Sequence, residues 1–193
     1  MNFDINKLTN VNPMDMLDQN QKTQLSEIFN EALMDDWTYD MTDNSVKLMV
    51  KMINNSNNPD PAYQKEGDSG FDLAAYITED ITLKPLERQL IPTGLYYQIP
   101  LGFELQIRPR SGLALKNGIT VLNTPGTVDA GYRGEIKVLL INLSNQDFTI
   151  KSGDRIAQGV IAPVQSRHTT LFKRVNQLDS SERNTGGFGS TGV

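Results

Sequence analysis

The spacing of hydrophobic residues divides the chain into two regions. In the first region, apolar residues recur three and four positions apart, the spacing of one face of a helix; they are Leu25, Ile28, Phe29, Ala32, Leu33 and Trp37. Asn12 and Pro13 form a typical helix start, with a capping residue followed by proline at the first helical position. The pattern predicts that residues 1–45 form a mostly helical extension.

From Val46 onward, apolar residues instead occur in short or alternating runs. Turn-forming residues such as Lys84-Pro85 separate these runs, and many short strands at regular spacing are typical of sandwiches, jelly rolls and barrels. The predicted strands are Val46–Ile53, Ile81–Leu83, Gln89–Ile91, Leu95–Ile99, Phe103–Arg108, Gly118–Leu122, Glu135–Leu143, Phe148–Ile150, Arg155–Ile161 and Thr170–Arg174. A short helical turn is predicted over Leu113–Asn117. Residues 46–178 are therefore predicted to form an all-β body.

The C-terminal segment, residues 179–193, ends on the glycine-rich run RNTGGFGSTGV. Glycines expose backbone N–H groups, hydroxyls donate hydrogen bonds, and an arginine can bind a phosphate with two parallel bonds. Two interpretations follow from this composition. The segment is a frayed tail, as chain termini often are, or it is a flexible arm that becomes ordered on an anionic ligand.

Composition limits the kind of protein that this chain encodes. A length of 193 residues suits one domain with an appendage. The chain has no cysteine, which excludes disulfides and thiolate metal sites. No apolar run approaches the roughly 18 residues of a membrane span, and the N-terminus lacks the layout of a secretory signal. We therefore expect an intracellular, cytoplasmic protein that does not associate with membranes.

The net charge of −5 is distributed unevenly. Residues 1–46 hold nine acidic residues and two lysines, whereas residues 47–193 hold 14 acidic and 16 basic residues. The body is thus near neutral, which argues against a nucleic-acid-binding protein with a broad basic face but leaves room for a small anionic ligand. Two roles stay open for the acidic extension: packing on the body or on a neighbouring subunit, and binding a protein partner.

Polar residues of the body concentrate in five segments. They are Asp68–Leu73, Arg108–Ala114, Asn123–Glu135, Gly153–Gln158 and the C-terminal segment. Each segment alone is weak evidence, because any of them would pass as a turn before a strand. In this order and spacing they are specific, and from about residue 46 the chain resembles the trimeric dUTP diphosphatases (dUTPases). The strongest parts of the resemblance are PRSGLA, GTVDAGYRGE, GDRIAQ and RNTGGFGSTG.

The resemblance leaves out residues 1–45 and carries expectations about fold and activity. It implies an all-β, jelly-roll-like barrel or sandwich that assembles as a homotrimer. It also implies hydrolysis of dUTP to dUMP and pyrophosphate with Mg²⁺, which lowers dUTP and supplies dUMP for thymidylate synthesis. Each active site would draw on three subunits.

The resemblance makes Asp129 the catalytic base, which orients and deprotonates the water that attacks the α-phosphorus. On the residues alone, a carboxylate between Val128 and Ala130 is equally typical of a plain turn. The segment from Asn123 to Asp129 is predicted to be a hairpin that turns at Pro125-Gly126. Backbone groups at such a tip can accept uracil and reject cytosine, because a buried mismatch leaves polar groups unpaired.

Further nucleoside contacts follow from the resemblance. Asn123, Gly126, Thr127 and Val128 are expected at the uracil. Tyr132 is expected to pack under the deoxyribose and exclude a 2′-hydroxyl, although without the resemblance it would be interpreted as a core aromatic. Lys137 is expected to contact the nucleoside through its backbone.

Arg110, Ser111 and Gly112 supply a cation, a hydroxyl and an unhindered backbone N–H within three residues, which suits a triphosphate. An isolated arginine more often makes a surface salt bridge, so the surrounding motif carries this prediction. Gln158 is an amide in an apolar strand, and the resemblance gives it a phosphate oxygen as partner. Asp72 is expected near the metal through water. Because no residue cluster suggests a metal cage, Mg²⁺ is expected to be held mainly by substrate phosphates and water.

For the C-terminal segment, the resemblance favours an arm that closes over the site. Arg183 would reach the γ-phosphate and Phe188 would stack on the uracil. Gly189, Ser190 and Thr191 would bind terminal phosphate oxygens. The arm would come from a different subunit than the base. Asn184-Thr185 departs from the family pattern, where glycine is common, and is predicted to alter the flexibility of the arm.

Two alternative functions remain on sequence grounds. A dCTP deaminase shares the fold but is expected to have a different base-reading strand and a catalytic glutamate. The run DAGYRGE, residues 129–135, therefore favours dUTP hydrolysis. The second alternative is a nucleotide-binding trimer that signals to a protein partner through residues 1–45.

Overall fold

In the computed structural model, the described residues are 18–23, 37–40, 45–167 and 169–187. Residues 19–23 are helical, and Asp18 caps them through two reciprocal bonds. The Gln21 backbone N–H donates to Asp18 Oδ1 at 2.8 Å, and the Asp18 backbone N–H donates to Gln21 Oε1 at 3.0 Å. This is the geometry of a capping box. The helix start predicted at Asn12 and Pro13 lies outside the described residues.

The first strands arise earlier than the sequence pattern predicted. Strand β1 (Trp37–Asp40) pairs antiparallel with β2 (Ser45–Leu48), and Trp37 lies opposite Leu48. Trp37 therefore belongs to a strand, so its assignment to the helical stripe was wrong. The sequence Trp-Thr-Tyr is rich in residues that favour strands, and pairing with β2 decides its conformation.

Eleven further strands and one short helix form the body. The strands are β3 (Lys51–Asn54), β4 (Phe71–Ala74), β5 (Ile81–Leu83), β6 (Arg88–Pro92), β7 (Leu95–Gln98), β8 (Phe103–Arg108), β9 (Ile119–Val121), β10 (Gly126–Val128), β11 (Lys137–Asn142), β12 (Phe148–Ile150) and β13 (Arg155–Pro163). The helix spans Ser111–Asn117, which confirms the predicted helical turn. The all-β prediction for the body is confirmed.

All strand pairs in the described chain are antiparallel, and two sheets dominate. One sheet has the order β10-β8-β13-β4 and the other has the order β6-β11-β9. Their inner faces supply a shared hydrophobic core. Fully buried members of this core include Leu73, Leu105, Ile136, Val138 and Leu140.

Strand β13 is the structural centre of the larger sheet. It pairs with β8 along one edge and with β4 along the other, so it connects the segments that carry Arg108, Asp72 and Gln158. Gly159 in this strand allows close packing, because a Cβ there would lie 2.7 Å from the Phe71 ring. The absence of a side chain at Gly159 therefore lets the Phe71 ring of β4 pack directly against β13.

Beyond β13 the chain leaves the body. The predicted strand Thr170–Arg174 is not formed, and Leu171 and Phe172 are 91% and 94% exposed. An alternating sequence forms a strand only where a partner strand is available, and this segment pairs with no described strand of its own chain. The prediction of a strand here was wrong for the isolated chain.

Candidate active site

The first cleft lies where β10 ends and β11 begins. Its cavity volume is about 250 Å³, and it is lined by Leu90, Thr127, Val128, Asp129, Tyr132, Glu135, Ile136 and Lys137. Five of these residues were predicted from the sequence as base or nucleoside contacts. They share a cleft because the turn after β10 brings Asp129 and Tyr132 together, with the Tyr132 backbone N–H donating to the Asp129 carbonyl at 3.0 Å.

Asp129 follows directly after Val128, the last residue of β10. Its side chain is exposed, and among the described residues it makes no hydrogen bond or ion pair. A carboxylate that is not occupied by the protein can accept a proton from a bound water. The position therefore suits a general base.

Neighbouring residues hold the Tyr132 ring at the rim of this cleft. The Tyr132 hydroxyl donates to the Glu135 carbonyl at 3.0 Å. Gly134 lies beneath the ring, and a Cβ at this position would overlap the phenol. Tyr132 is 46% exposed, so its ring is fixed by these contacts and also open to a ligand.

Glu135 also lines the first cleft, and no role was predicted for it from the sequence. Its Oε1 accepts the Gly94 backbone N–H at 2.9 Å, and its Oε2 lies 3.5 Å from Lys137 Nζ. It thus connects the β6–β7 turn to the start of β11. In the sequence, the signal that could have indicated this role was the acidic residue at the end of the run YRGE.

The segment from Asn123 to Asp129 is not a hairpin. Strand β9 pairs with β11, whereas β10 pairs with β8, so residues 122–125 connect two different sheets. A Thr124–Pro125 cis peptide bond lies in this connection. The Asn123 side chain lies beside Gly126, where a Cβ would be 3.3 Å from its Nδ2. Asn123 and Gly126 are thus adjacent, as predicted, although the turn that joins them is of another kind.

A second cleft lies at the start of the Ser111–Asn117 helix. Its cavity volume is about 480 Å³, and it is lined by Asp72, Arg110, Ser111, Gly112, Leu113, Lys116, Asn117 and Gln158. The first turn of the helix has no acidic residue, and backbone N–H groups in a first turn have no partner within the helix. Together with Arg110 and Lys116, they make this cleft suitable for an anion.

Arg110 and Gln158 are both held by protein groups at the edge of this cleft. Arg110 Nε lies 2.7 Å from Asp72 Oδ1, and Arg155 Nη1 donates to Asp72 Oδ2 at 3.2 Å. Gln158 Nε2 donates to the Pro109 carbonyl at 2.8 Å. The amide of Gln158 therefore already has a protein partner, and its second N–H donates to no described residue.

Strand register separates the two clefts within one chain. Val128 lies opposite Leu105, and Gly126 lies opposite Ile107. Leu105 and Arg108 are three residues apart on β8, which corresponds to about 10 Å. Asp129 lies beyond one end of this interval and Arg110 beyond the other. The predicted base and the predicted phosphate-binding residues of a single chain therefore line different clefts.

The C-terminal arm makes only local contacts where it is described. Arg183 Nε donates to the Gly186 carbonyl at 2.9 Å, and the Asn184 backbone N–H donates to Ser181 Oγ at 3.0 Å. Arg183 is exposed, and it makes no hydrogen bond or ion pair with the described residues that line either cleft. Phe188, Gly189, Ser190 and Thr191 lie outside the described residues, so their roles stay predictions.

The chain is similar in sequence to known dUTPases. The dUTPase family model matches residues 48–192. A deoxyuridine 5′-triphosphate nucleotidohydrolase of Cytophaga hutchinsonii is 63% identical over 143 residues, which cover 74% of this chain and 91% of that protein. The enzyme of the same name from Finegoldia magna is 57% identical over 145 residues, 75% of this chain and 99% of its own.

Solved structures show the same fold. A variant of the dUTPase from Staphylococcus bacteriophage 80alpha, solved with dUpNHpp, matches with a TM-score of 0.67 and 26% identity. The match covers 75% of this chain and 99% of the phage chain. The jelly-roll-like fold predicted for the body is confirmed. The family match begins at residue 48, and the role of residues 1–45 stays a prediction. With the family model matched over three quarters of its length and relatives up to 63% identical, the chain belongs to the dUTPase family.

Proposed function

We propose that the protein hydrolyses dUTP to dUMP and pyrophosphate, with Asp129 as the general base. The observation that carries this proposal is the first cleft, which gathers Asp129, Thr127, Val128, Tyr132 and Lys137 around one cavity. The high identity to curated deoxyuridine 5′-triphosphate nucleotidohydrolases supports the choice of dUTP. The phage relative solved with dUpNHpp supports a bound deoxyuridine triphosphate.

Asp129 accepts a proton from the attacking water, and the oxygen of that water forms a bond to the α-phosphorus. The bond between the α-phosphorus and the oxygen that bridges to the β-phosphorus breaks, and pyrophosphate leaves with that oxygen. A positioned general base contributes about 10²–10⁴ in rate. Because the Asp129 side chain is exposed and unpaired among the described residues, no protein contact has to break before it acts.

Selection of the nucleoside rests on the residues around the same cleft. Tyr132 is held by Glu135 and packs over Gly134, which supports a role in which its ring packs against the deoxyribose. A fixed ring leaves no room for a 2′-hydroxyl. Asn123 and Gly126 offer an amide and close backbone groups for the uracil edge. A site built to pair a polar base edge rejects an analogue that leaves buried groups unpaired.

The second cleft is the proposed triphosphate site. Arg110 supplies a planar set of donors, and Ser111 and Gly112 supply a hydroxyl and first-turn N–H groups. Lys116 adds a second cation, and Gln158 adds an amide donor. Such pre-positioned donors stabilise charge that develops on phosphate oxygens during the reaction.

The donor set of the second cleft fits Mg²⁺ bound chiefly through the substrate. Asp72 is the one carboxylate among the lining residues, and no group of three or more His, Cys, Asp or Glu side chains forms a metal site in the described part of the chain. Mg²⁺ usually keeps several waters and binds through one or two carboxylates plus phosphates. When bound, it would neutralise charge on the phosphates. Asp72 would contact one of its waters.

The separation of the two clefts supports a composite site in a homotrimer. Asp129 of one subunit and Arg110 of the next would meet across an interface, since one chain holds them beyond opposite ends of the β8–β10 pairing. The exposed apolar residues Leu171, Phe172 and Leu178 lie in the segment that leads to the C-terminal arm, and they support packing of this segment on another subunit. That arm would carry Arg183 and residues 188–191 to the occupied site.

The decisive experiment combines product analysis with an isotope label. Purified protein is incubated with dUTP, dCTP, dTTP and UTP in H₂¹⁸O with Mg²⁺, and the products are identified by mass spectrometry. We expect turnover of dUTP, with one ¹⁸O in dUMP and none in pyrophosphate. Label in pyrophosphate would place the attack on the β-phosphorus. Conversion of dCTP to dUTP or dUMP would instead support the deaminase alternative.

Asp129→Asn tests the base directly. The change keeps the side-chain volume and removes proton acceptance, so kcat should fall by about 10²–10⁴ while the affinity for dUpNHpp stays close to that of the wild type. A loss of kcat below about tenfold, well under the range for a general base, would assign the base to another group.

A further inference from the structure

A β-bulge in β13 determines which face carries Arg155. Gln158 lies opposite Asp72, and Ala157 lies opposite Leu73. If this pairing continued regularly, Ile156 would lie opposite Ala74. Arg155 occupies that position instead. Because side chains alternate between faces along a strand, the shift brings Arg155 to the face of Asp72 and Gln158, and Ile156 is buried. Bulges near functional sites re-aim side chains in this way.

The bulge places Arg155 against Asp72. The two carboxylate oxygens of Asp72 contact different arginines: Oδ1 lies 2.7 Å from Arg110 Nε, and Oδ2 accepts from Arg155 Nη1 at 3.2 Å. The Arg155 carbonyl also accepts from Arg110 Nη1 at 3.2 Å. Arg155 is therefore linked to Arg110 by its backbone directly and by its side chain through Asp72.

These contacts fix the plane of the Arg110 guanidinium. An arginine side chain has five N–H donors in a planar fork. Asp72 and the Arg155 carbonyl engage Nε and Nη1, and no described residue accepts a hydrogen bond from Nη2. Arg110 also lines the second cleft. The free donors are thus held in one orientation for an anion.

We propose that Arg155 is a positioning residue for the triphosphate site. It holds Asp72, and Asp72 holds the Arg110 guanidinium in the orientation that binds phosphate. The Arg155 side chain acts through Asp72 and makes no contact with the nucleotide. This inference rests on the proposed function, because it assigns the triphosphate to the second cleft.

The first test compares Arg155→Met with Lys151→Met in the full chain. Both changes remove one exposed cation at the β12–β13 connection, but Lys151 lies in the turn and pairs with Asp80 at 4.0 Å, not with Asp72. For Arg155→Met we expect the Kd of dUpNHpp and the KM of dUTP to rise about fivefold, the upper range for a partly exposed ion pair. The value of kcat should fall by less than KM rises, since Asp129 is untouched. Lys151→Met should match the wild type.

Rescue and coupling separate positioning from direct binding. Arg155→Lys should recover part of the lost affinity, because an ammonium can still donate to Asp72 Oδ2. In a double-mutant cycle with Asp72→Asn, the double variant should bind dUpNHpp no more weakly than Asp72→Asn alone. The cycle is measured with and without Mg²⁺, so that a metal-related role of Asp72 is separated. Additive losses would mean that Arg155 binds the nucleotide itself and would overturn the proposal.

Folding and function are checked independently. Thermal unfolding of each variant is recorded, and if Arg155→Met unfolds, Arg155→Gln carries the same test because it keeps a donor without the charge. A wild type that hydrolyses dUTP beside an Arg155→Met variant with unchanged Kd and KM would overturn this inference and leave the proposed function standing. A wild type that neither binds dUpNHpp nor hydrolyses dUTP would overturn both.

Discussion

Two variants that are each nearly inactive should restore activity when their subunits are mixed. The first variant, Asp129→Asn, lacks the base of the first cleft, and the second, Arg110→Met, lacks the cation of the second cleft. These residues lie beyond opposite ends of the β8–β10 pairing in one chain. If each site takes its base from one subunit and its triphosphate donors from another, some sites in mixed oligomers contain both intact residues.

The size of the effect follows from random assembly. In a 1:1 mixture, half of the subunits supply an intact Asp129 and half supply an intact Arg110, so about a quarter of the composite sites in a symmetric oligomer are complete. Asp129→Asn alone should retain about 1% of activity or less. Arg110→Met loses a hydrogen bond to a charged group and should retain about 10% or less. The mixture should therefore exceed the average of its components by roughly fivefold.

The assay needs verified mixed oligomers. The two variants are co-expressed and purified together through one tag that both carry, and native mass spectrometry confirms a random 1:1 distribution of subunits that includes mixed oligomers. dUTP turnover is then compared with each variant alone and with separately purified variants mixed just before the assay. Activity no higher than the average of the two variants, in confirmed mixed oligomers, would show that Asp129 and Arg110 of the same chain serve one site.

Three further predictions test separate parts of the structure. Tyr132→Ala should raise the use of UTP relative to dUTP, because it removes the ring that excludes a 2′-hydroxyl; an unchanged ratio of kcat/KM values would remove Tyr132 from this role. Truncation after Glu182 should leave the Tm unchanged, since the described arm contributes no buried apolar residue, and should abolish most turnover; retained activity would remove the arm from the site. Asn142→Ala should lower the free energy of unfolding by about 3 kcal/mol. The reason is that this fully buried amide donates to the Leu83 and Gln146 carbonyls and accepts from the Ser144 backbone N–H. A loss below about 1 kcal/mol, measured by urea unfolding, would contradict its structural importance.

The sequence predicted the body of the fold well because its signals are local. Short apolar runs between turn residues located most strands, and the helical turn after Arg110 was found near its observed position. Trp37 and the Thr170–Arg174 segment were predicted wrongly for a common reason. Whether such residues form a strand depends on the presence of a partner strand. Trp37 has β2 as its partner, whereas residues 170–174 have no partner among the described strands of this chain.

The site was predicted by residue type but not by arrangement. Asp129, Tyr132 and Lys137 share a cleft as expected, whereas Gln158 already donates to the Pro109 carbonyl. Arg155 was overlooked because its face depends on a bulge, and the adjacent apolar residues Ile156 and Ala157 at this bulge were interpreted as part of one regular strand. Glu135 was overlooked because its partner, the Gly94 N–H, lies far away in the sequence.

The separation of the two clefts along β8 also has a kinetic consequence. In the proposed trimer, a free subunit carries two incomplete sites, so the active species forms only by association. Specific activity should then fall on dilution below the dissociation constant of the oligomer, in the way that any property of an assembly follows mass action. A bound nucleotide that contacts two subunits would oppose this loss, because it would stabilise the oligomer. The substrate would thereby stabilise the assembly that hydrolyses it.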